Sequence, residues 1–387
     1  MPRARSWASD VRFVQVRVSA PLARTHDISY QETPMHVGII GCGMISRFHF
    51  NGLEKVGATV AWVCDLKAEN AAPWVAKTGA RYTADWHTII ADPAVDTVVV
   101  ATISRTHKEI CLAAIAAGKA VICEKTLSCS AEDSWEIVSR AEAAGTPFFT
   151  SYMKRWFEAA EQAKRLLPSL GRIVTTHARV HQPWGDVWKD TTPPRAPGSE
   201  AIIREPSVFV SNYGGGILVM GGSHLLDLLL FLFGRPQRLY AYQYTPGNRD
   251  IDLQACALLE TADHGVIHYE ALASPLSRVG FLRDGWDEQI EITGTGGRLT
   301  LLTSLWNHVE QKTALLIHDD EATGQRHEYR FAINSPFDRA IAAFASDITA
   351  RRQTVQSRQT GYEVDQLIAT ISASAACGQP LNVPWKT

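Results

Sequence analysis

Between His36 and Thr150 the apolar positions come in short continuous runs separated by helix-length segments. His36–Ile40, Ala58–Cys64, Thr97–Ala101 and Ala120–Cys123 are such runs, rich in valine, isoleucine and alanine. Runs this short, bounded by glycine or charged residues, predict strands buried on both faces; Arg105–Ala117, ending at Gly118, predicts a crossover helix. Strands alternating with helices imply a doubly wound parallel sheet with right-handed crossovers.

After residue 150 the pattern changes. Arg172–His181, Arg238–Tyr244, Leu253–Glu260, Val266–Ala273, Glu288–Ile292 and Arg298–Leu302 predict strands of an open, mostly antiparallel sheet, followed by two helices over Phe337–Ala350 and Tyr362–Ala376. The stretch Gln182–Asn212 has no periodicity but holds five prolines together with Trp184 and Trp188, the composition of an ordered lid or binding loop. Residues 1–34 stand apart: five arginines, three acids and no apolar core segment argue against a secretory signal and for a disordered extension. Within it, Arg12–Val18 alternates polar and apolar and offers a strand to a sheet edge. The expected division is an extension over 1–34, a nucleotide-binding domain over 35–153, and a substrate-binding and oligomerisation domain of α+β type over 154–387.

Composition narrows the class without deciding it. In 387 residues, 45% hydrophobic and 20% charged is ordinary for a chain burying a large core, and a net charge of −2 provides no basic face for nucleic acid. The longest apolar helical run, Leu225–Phe233, is too short for a bilayer and is broken near its start by Asp227. Seven cysteines without zinc-type spacing read as buried reduced thiols of a cytoplasmic protein, and no metal site is expected.

Chemistry concentrates in three motifs. In Gly41-Cys42-Gly43-Met44-Ile45-Ser46 the first glycine suits a tight turn and the second a close approach of backbone to a pyrophosphate; Ser46 is small enough for helix–strand packing. Met44 and Ile45 open the helix whose N-terminus would face the phosphates. Asp65, 22 residues after Gly43, stands where an acid bonds the adenosine ribose, so NAD is favoured, while Lys67 leaves NADP open. These features make the first domain a Rossmann fold. The second motif is Glu124-Lys125 at the end of a buried strand, level with Thr102: a carboxylate and a proton-handling amine at the ligand-binding edge of the sheet. The third is the glycine-rich Gly214–Asp227 segment. Its glycines allow close backbone approach to a ligand, Ser223 can cap a helix, and His224 and Asp227 share one helical face.

Taken together, Gly41-x-Gly43, Asp65, Ala101-Thr102, His107, Gly118-Lys119, Glu124-Lys125 and the segment closing on His224 and Asp227 resemble the glucose-fructose oxidoreductase, inositol 2-dehydrogenase and rhizopine catabolism (Gfo/Idh/MocA) family, from Met35 to the C-terminus. Two positions depart from it. Thr126 replaces the proline of the family's Glu-Lys-Pro, and Met220 replaces an aspartate often found four residues before the histidine. The resemblance implies an NAD(P)-dependent dehydrogenase acting on a secondary hydroxyl of a sugar, glycoside or cyclitol. It implies His224 as general acid/base and Lys125 as the group polarising the reacting oxygen. Thr102, His107 and Glu124 are then cofactor-binding candidates, and Tyr152, Arg155, Trp184 and Asp227 substrate candidates. Trp184 and Trp188 suit either stacking on a sugar or anchoring their loop. Two alternatives stay open: a nucleotide-sensing regulator without turnover, and an NAD-dependent glycoside hydrolase. An open sheet face suits a homodimer or homotetramer.

Overall fold

The computed structural model describes residues 12–17, 35–185, 187–188, 212–246, 251–263, 265–305 and 313–386. Its strands, in chain order, are β1 (Arg12–Arg17), β2 (His36–Ile40), β3 (Thr59–Cys64), β4 (Arg81–Thr83), β5 (Thr97–Val100), β6 (Ala120–Cys123), β7 (Phe148–Thr150), β8 (Ile173–Pro183), β9 (Arg238–Tyr244), β10 (Gln254–Glu260), β11 (Val266–Ser274), β12 (Asp287–Gly294), β13 (Gly297–Leu302), β14 (Leu315–Asp320), β15 (Gln325–Arg330) and β16 (Leu381–Asn382).

Six of them form one parallel sheet in the order β4-β3-β2-β5-β6-β7. The order reverses at β2, so a crevice opens outside the carboxyl ends of β2 and β5. Every residue of β5 and β6 is buried, as strands covered by helices on both faces must be. One face packs on Ile110, Ile115, Ile137 and Val138. The other packs on Phe50, Leu53 and Ala71, together with Ala340, Ile341 and Phe344 from nearly two hundred residues beyond the last strand of this sheet.

That last contact reaches across the expected boundary at 153/154. Helix Pro336–Thr349, assigned by sequence to the second domain, lies against helix Ser46–Lys55 of the first. Gly52 makes the contact: a Cβ there would stand 2.8 Å from Ile341 Cγ1. The final helix, Val355–Cys377, begins seven residues before the expected Tyr362 because Thr354 caps it, its hydroxyl accepting from Ser357 N. It packs on β9 of the second sheet and on helix Ala131–Ala143 of the first domain.

The second sheet runs β1-β15-β14-β13-β12-β8-β11-β10-β9-β16, antiparallel except for the pairs β1/β15 and β8/β11. Helices Glu158–Leu166, Ser223–Phe233 and Val355–Cys377 contribute to the core on one face. On the other face Val174, Tyr240, Tyr242, Leu258 and Val266 are exposed. Arg12–Arg17, within the segment expected to be disordered, pairs in parallel with β15 as an added edge strand; the rest of 1–34 lies outside the described residues. Strand β15, reading Gln-Arg-His-Glu-Tyr-Arg, carries a weak sequence signal, because a polar strand is held by its pairing with the strands on either side, here β14 and β1. Cys42, Cys64, Cys111 and Cys123 are buried thiols, whereas Cys129 and Cys377 are exposed.

Replacing Gly52 with leucine should separate the two helices that meet there, at a cost of about 1–3 kcal/mol typical of overpacking. Urea unfolding measures it; unchanged stability would mean the return of Pro336–Thr349 onto the first domain adds nothing.

Candidate active site

Where β2 ends, Gly41 adopts φ +97°, and a Cβ on it would lie 2.6 Å from the carbonyl oxygen of Ala101. Its N–H donates to Cys64 O at 2.8 Å, so the turn is pinned between β3 and β5. Gly43 is the opposite case: exposed, with no atom within 4 Å of the position a Cβ would take. Ser46 is fully buried and its hydroxyl donates to Gly43 O at 2.7 Å. No side chain caps helix Ser46–Lys55, and its first turn holds no acid. Met44 is exposed and Ile45 half-buried beside this opening. Asp65 Oδ2 accepts from Cys42 N at 2.9 Å; Oδ1 accepts from Lys67 N at 2.9 Å and from Asn70 Nδ2 at 3.1 Å. The open space over Gly43, the uncapped helix N-terminus and a half-exposed acid at the end of β3 fit the pyrophosphate and ribose of a dinucleotide. Half-exposed Thr102, accepting from the Thr106 hydroxyl at 2.8 Å, borders the same crevice at the end of β5.

At the end of β6 the polar groups are more committed than their sequence suggests. Glu124 is buried; Oε1 lies 2.7 Å from His49 Nε2, and Oε2 accepts the Lys125 N–H at 3.2 Å. Burial works against its charge, but His49 and Lys125 outweigh it and hold the carboxyl below its usual range. The carboxylate expected to contact cofactor is therefore engaged within the protein. His107, also a cofactor candidate, is fully buried, with Nε2 3.2 Å from Thr102 O and Nδ1 3.0 Å from Thr126 O and 3.2 Å from Leu127 O. It braces the loops after β5 and β6. Lys125 keeps partial exposure, yet protein closes around its amine, and that burial pushes it down to about 8 against the pull of Glu124. Its Nζ donates to Met220 O at 3.0 Å, and the Lys125–Thr126 peptide, where the proline is missing, is cis.

Met220 lies in a wide helical turn, Leu218–Gly222, that runs without a break into helix Ser223–Phe233. Ser223 is therefore helical and is not the cap expected of it; the preceding turn takes that place. The glycines before it sit close against other parts of the protein. Gly216 and Leu218 donate their N–H groups to Asp252 at 2.8 Å each, and Cβ atoms on Gly221 and Gly222 would strike Gln182 Nε2 and the Tyr269 hydroxyl. They serve contact with the second sheet. Wide turns of this kind free backbone groups and recur at functional sites, and the Met220 carbonyl is such a group.

His224 follows at once, 8% exposed, with its ring edge-on to Tyr152 at 5.7 Å. Burial first, then the positive charges of Lys125 and Lys154, hold it well below the usual histidine range, so it is a neutral imidazole at neutral pH. Asp227 and Arg155, two substrate candidates, are spent on each other: Arg155 Nε lies 2.8 and 2.9 Å from the two carboxylate oxygens. Burial raises Asp227 to about 6 despite this partner. Tyr152 is 1% exposed, its hydroxyl beside Ser223. Trp184 is buried and donates to Gln182 Oε1 at 3.3 Å, while exposed Trp188 donates to Ala273 O at 2.6 Å. Asp186 and residues 189–211 lie outside the described residues.

Two buried groups carried no recognisable signal. His49, between Phe48 and Phe50, is read from sequence as an ordinary helix residue. Lys154 is fully buried, paired with Glu288 and placed 4.5 Å over the Trp286 ring, while the Thr303 hydroxyl donates to the other Glu288 oxygen at 2.6 Å. A lysine inside a core cannot be told from a surface lysine until its distant partner is known.

The reversed strand order, the glycine opening and the buried amine and imidazole fit a two-domain NAD-binding oxidoreductase. The family description "Oxidoreductase family, NAD-binding Rossmann fold" matches residues 35–152, and "GFO/IDH/MocA C-terminal domain" matches residues 161–300. Inositol 2-dehydrogenase 2 of Saccharopolyspora erythraea is 30% identical over 278 residues, 69% of this chain and 73% of that protein. Inositol 2-dehydrogenase 3 of the same organism is 37% identical over 140 residues, 35% of this chain and less than half, 41%, of that protein. The solved structure of levoglucosan dehydrogenase in complex with NADH and levoglucosan aligns with a TM-score of 0.77 at 21% identity, covering 91% of this chain and 100% of that one. The chain belongs to the Gfo/Idh/MocA family, and its first domain binds NAD.

Asp65→Ser should weaken NAD binding roughly tenfold, as loss of one charge-assisted hydrogen bond implies, and improve relative use of NADP. Calorimetric titration with both nucleotides tests this. An unchanged NAD:NADP ratio would assign ribose reading to another residue.

Proposed function

We propose that the protein is an NAD-dependent dehydrogenase that oxidises a secondary hydroxyl of a cyclitol, sugar or glycoside. The observation carrying this reading is the convergence of Lys125 and His224. The amine at the carboxyl end of β6 donates to Met220 O, four residues before the imidazole, at the edge where the Gly43 opening lies. The names of the inositol 2-dehydrogenase relatives support the substrate class.

NAD, when bound, supplies the hydride acceptor. Gly43, Met44, Ile45 and Thr102 are proposed to line its path and Asp65 to hold its ribose. The neutral imidazole of His224 takes the hydroxyl proton, and Lys125, active as the neutral amine that the positive charge of an oxidised nicotinamide would favour, holds and polarises the same oxygen; fixing both at one carbon keeps proton and hydride transfer in register. Burial and the mutual repulsion of Lys125 and His224 keep both from being charged together. Tyr152 steadies the imidazole face and the Arg155–Asp227 pair fixes the helix behind it, so their proposed roles are positioning rather than direct substrate contact.

Two wider proposals accompany this. None of the described helices is long and apolar enough to cross a membrane, and all seven cysteines are unpaired, which suits a reducing compartment such as the cytoplasm. The exposed Tyr240, Tyr242, Leu258 and Val266 on the open face suit self-association as a dimer or tetramer, which light scattering would detect.

A panel of cyclitols, sugars and glycosides should yield NADH and a ketone product. Lys125→Met should retain NAD binding while turnover falls by roughly 10²–10⁴-fold, and His224→Ala should fall comparably. Released aglycone without net NADH would favour the hydrolase, and nucleotide binding with no turnover of any compound a regulator. The pH dependence follows from the amine. Its folded pKa lies below the free value, so the neutral form appears as pH passes about 8. Oxidation kcat/KM should rise through that range and level above it; a profile flat from pH 7 to 9 excludes this amine, at about 8, as the controlling group.

A further inference from the structure

The loop after β6 is held by a group that the proposed chemistry does not use. Asp365 lies in helix Val355–Cys377, 237 residues from Ser128. Its Oδ2 accepts the Ser128 N–H at 3.1 Å and the Ser134 hydroxyl at 2.6 Å. The Ser128 hydroxyl in turn lies 2.8 Å from that of Ser134, so loop, first-domain helix and C-terminal helix meet at one carboxyl group. Asp365 is 4% exposed, and its Oδ1 is sealed in the interior with no hydrogen-bond partner. A neutral amide would accept the same two donors without a buried charge, so holding the loop alone does not call for an acid. Sealed, half-paired acids want a further reason.

We propose that Asp365 is a positioning residue for Lys125: its carboxyl group holds the loop that carries the amine and brings a negative charge from the last helix to the amine's surroundings. This rests on the dehydrogenase reading given above. Four titratable groups face Lys125 closely enough to act on it: Glu124 beside it in the chain, Lys154 from the turn after β7, His224 from the opposing helix, and Asp365. Glu124 is held ionised by His49, Lys154 is paired with Glu288, and His224 is neutral. Asp365 alone changes charge near neutrality, because burial raises it to about 7 against the donors Ser134 and Ser128. The groups facing Asp365 besides Lys125 are Tyr152, Cys123 and Cys129, all pushed upward and uncharged in this range.

The sign follows. Ionised Asp365 favours the ammonium form of Lys125 and delays its deprotonation. Asp365→Asn keeps the size and an acceptor for Ser128 but removes the charge, so Lys125 should titrate lower by about one unit, the lower end of the effect of a nearby opposite charge. The experiment is an NMR titration of ¹⁵N-lysine-labelled full-length protein, with Lys125→Met assigning the resonance, and kcat/KM profiles on the substrate the wild type oxidises. The expected result is that the resonance and the rising limb both move to lower pH in Asp365→Asn, with NAD affinity retained. Ser134→Ala, which leaves Asp365 in place but withdraws one donor to its charged form, should move the resonance the same way by less. An unmoved Lys125 resonance in either folded variant overturns the proposal. If the wild type oxidises nothing in the panel, the dehydrogenase reading falls while the resonance still decides the role of Asp365.

Discussion

An amine drawn into a protein interior keeps its charge only if anions and dipoles replace the water it has lost. At Lys125 three replacements are in place, and each comes from a different part of the chain. Glu124 is its neighbour at the end of β6, the Met220 carbonyl comes from the wide turn ahead of His224, and Asp365 comes from the last helix. The remaining order of the site follows from bringing these together. Glu124 needs His49 to hold its charge, the wide turn needs Asp252 to fasten its glycines, and the loop after Lys125 needs His107 on its carbonyls. An amine poised to change charge near working pH is the outcome of a balance in which burial is the largest contribution.

The departures from the family pattern are absorbed by backbone. With Met220 in place of an aspartate, the side chain packs partly against the second-domain core while its carbonyl receives the lysine. A carbonyl is a dipole without net charge, so it orients the amine without raising its affinity for a proton as strongly as a carboxylate would. The lowered value of Lys125 is consistent with that exchange.

The dinucleotide half of the molecule was legible because its signals are local. Gly41 needs a positive φ and a contact with the next strand, Gly43 needs empty space, and Asp65 must end a strand; each requirement constrains one residue type at one spacing. The substrate half was legible only in outline. The alternating strands β8 to β13 announce themselves, but β15 is polar at nearly every position and exists through its pairing with β14. The dense glycines before His224 marked close backbone packing without saying to what; Gln182, Tyr269 and Asp252 meet them. His49, Lys154 and Asp365 escaped notice for one reason: a buried polar residue is defined by partners distant in sequence, and no local period records them.

Helix Pro336–Thr349, returning to the first domain, makes the polypeptide cross between the two halves more than once, going out near Ser151–Phe157 and back near Phe331–Pro336. It crosses again through helix Val355–Cys377, which touches both halves, to β16 at the edge of the second sheet. The same geometry means that the nucleotide domain is not a contiguous piece of gene. A fragment ending at Met153 would lack Ala340, Ile341 and Phe344, and would present to solvent the apolar surface of Phe50, Leu53 and Phe149 that those residues cover.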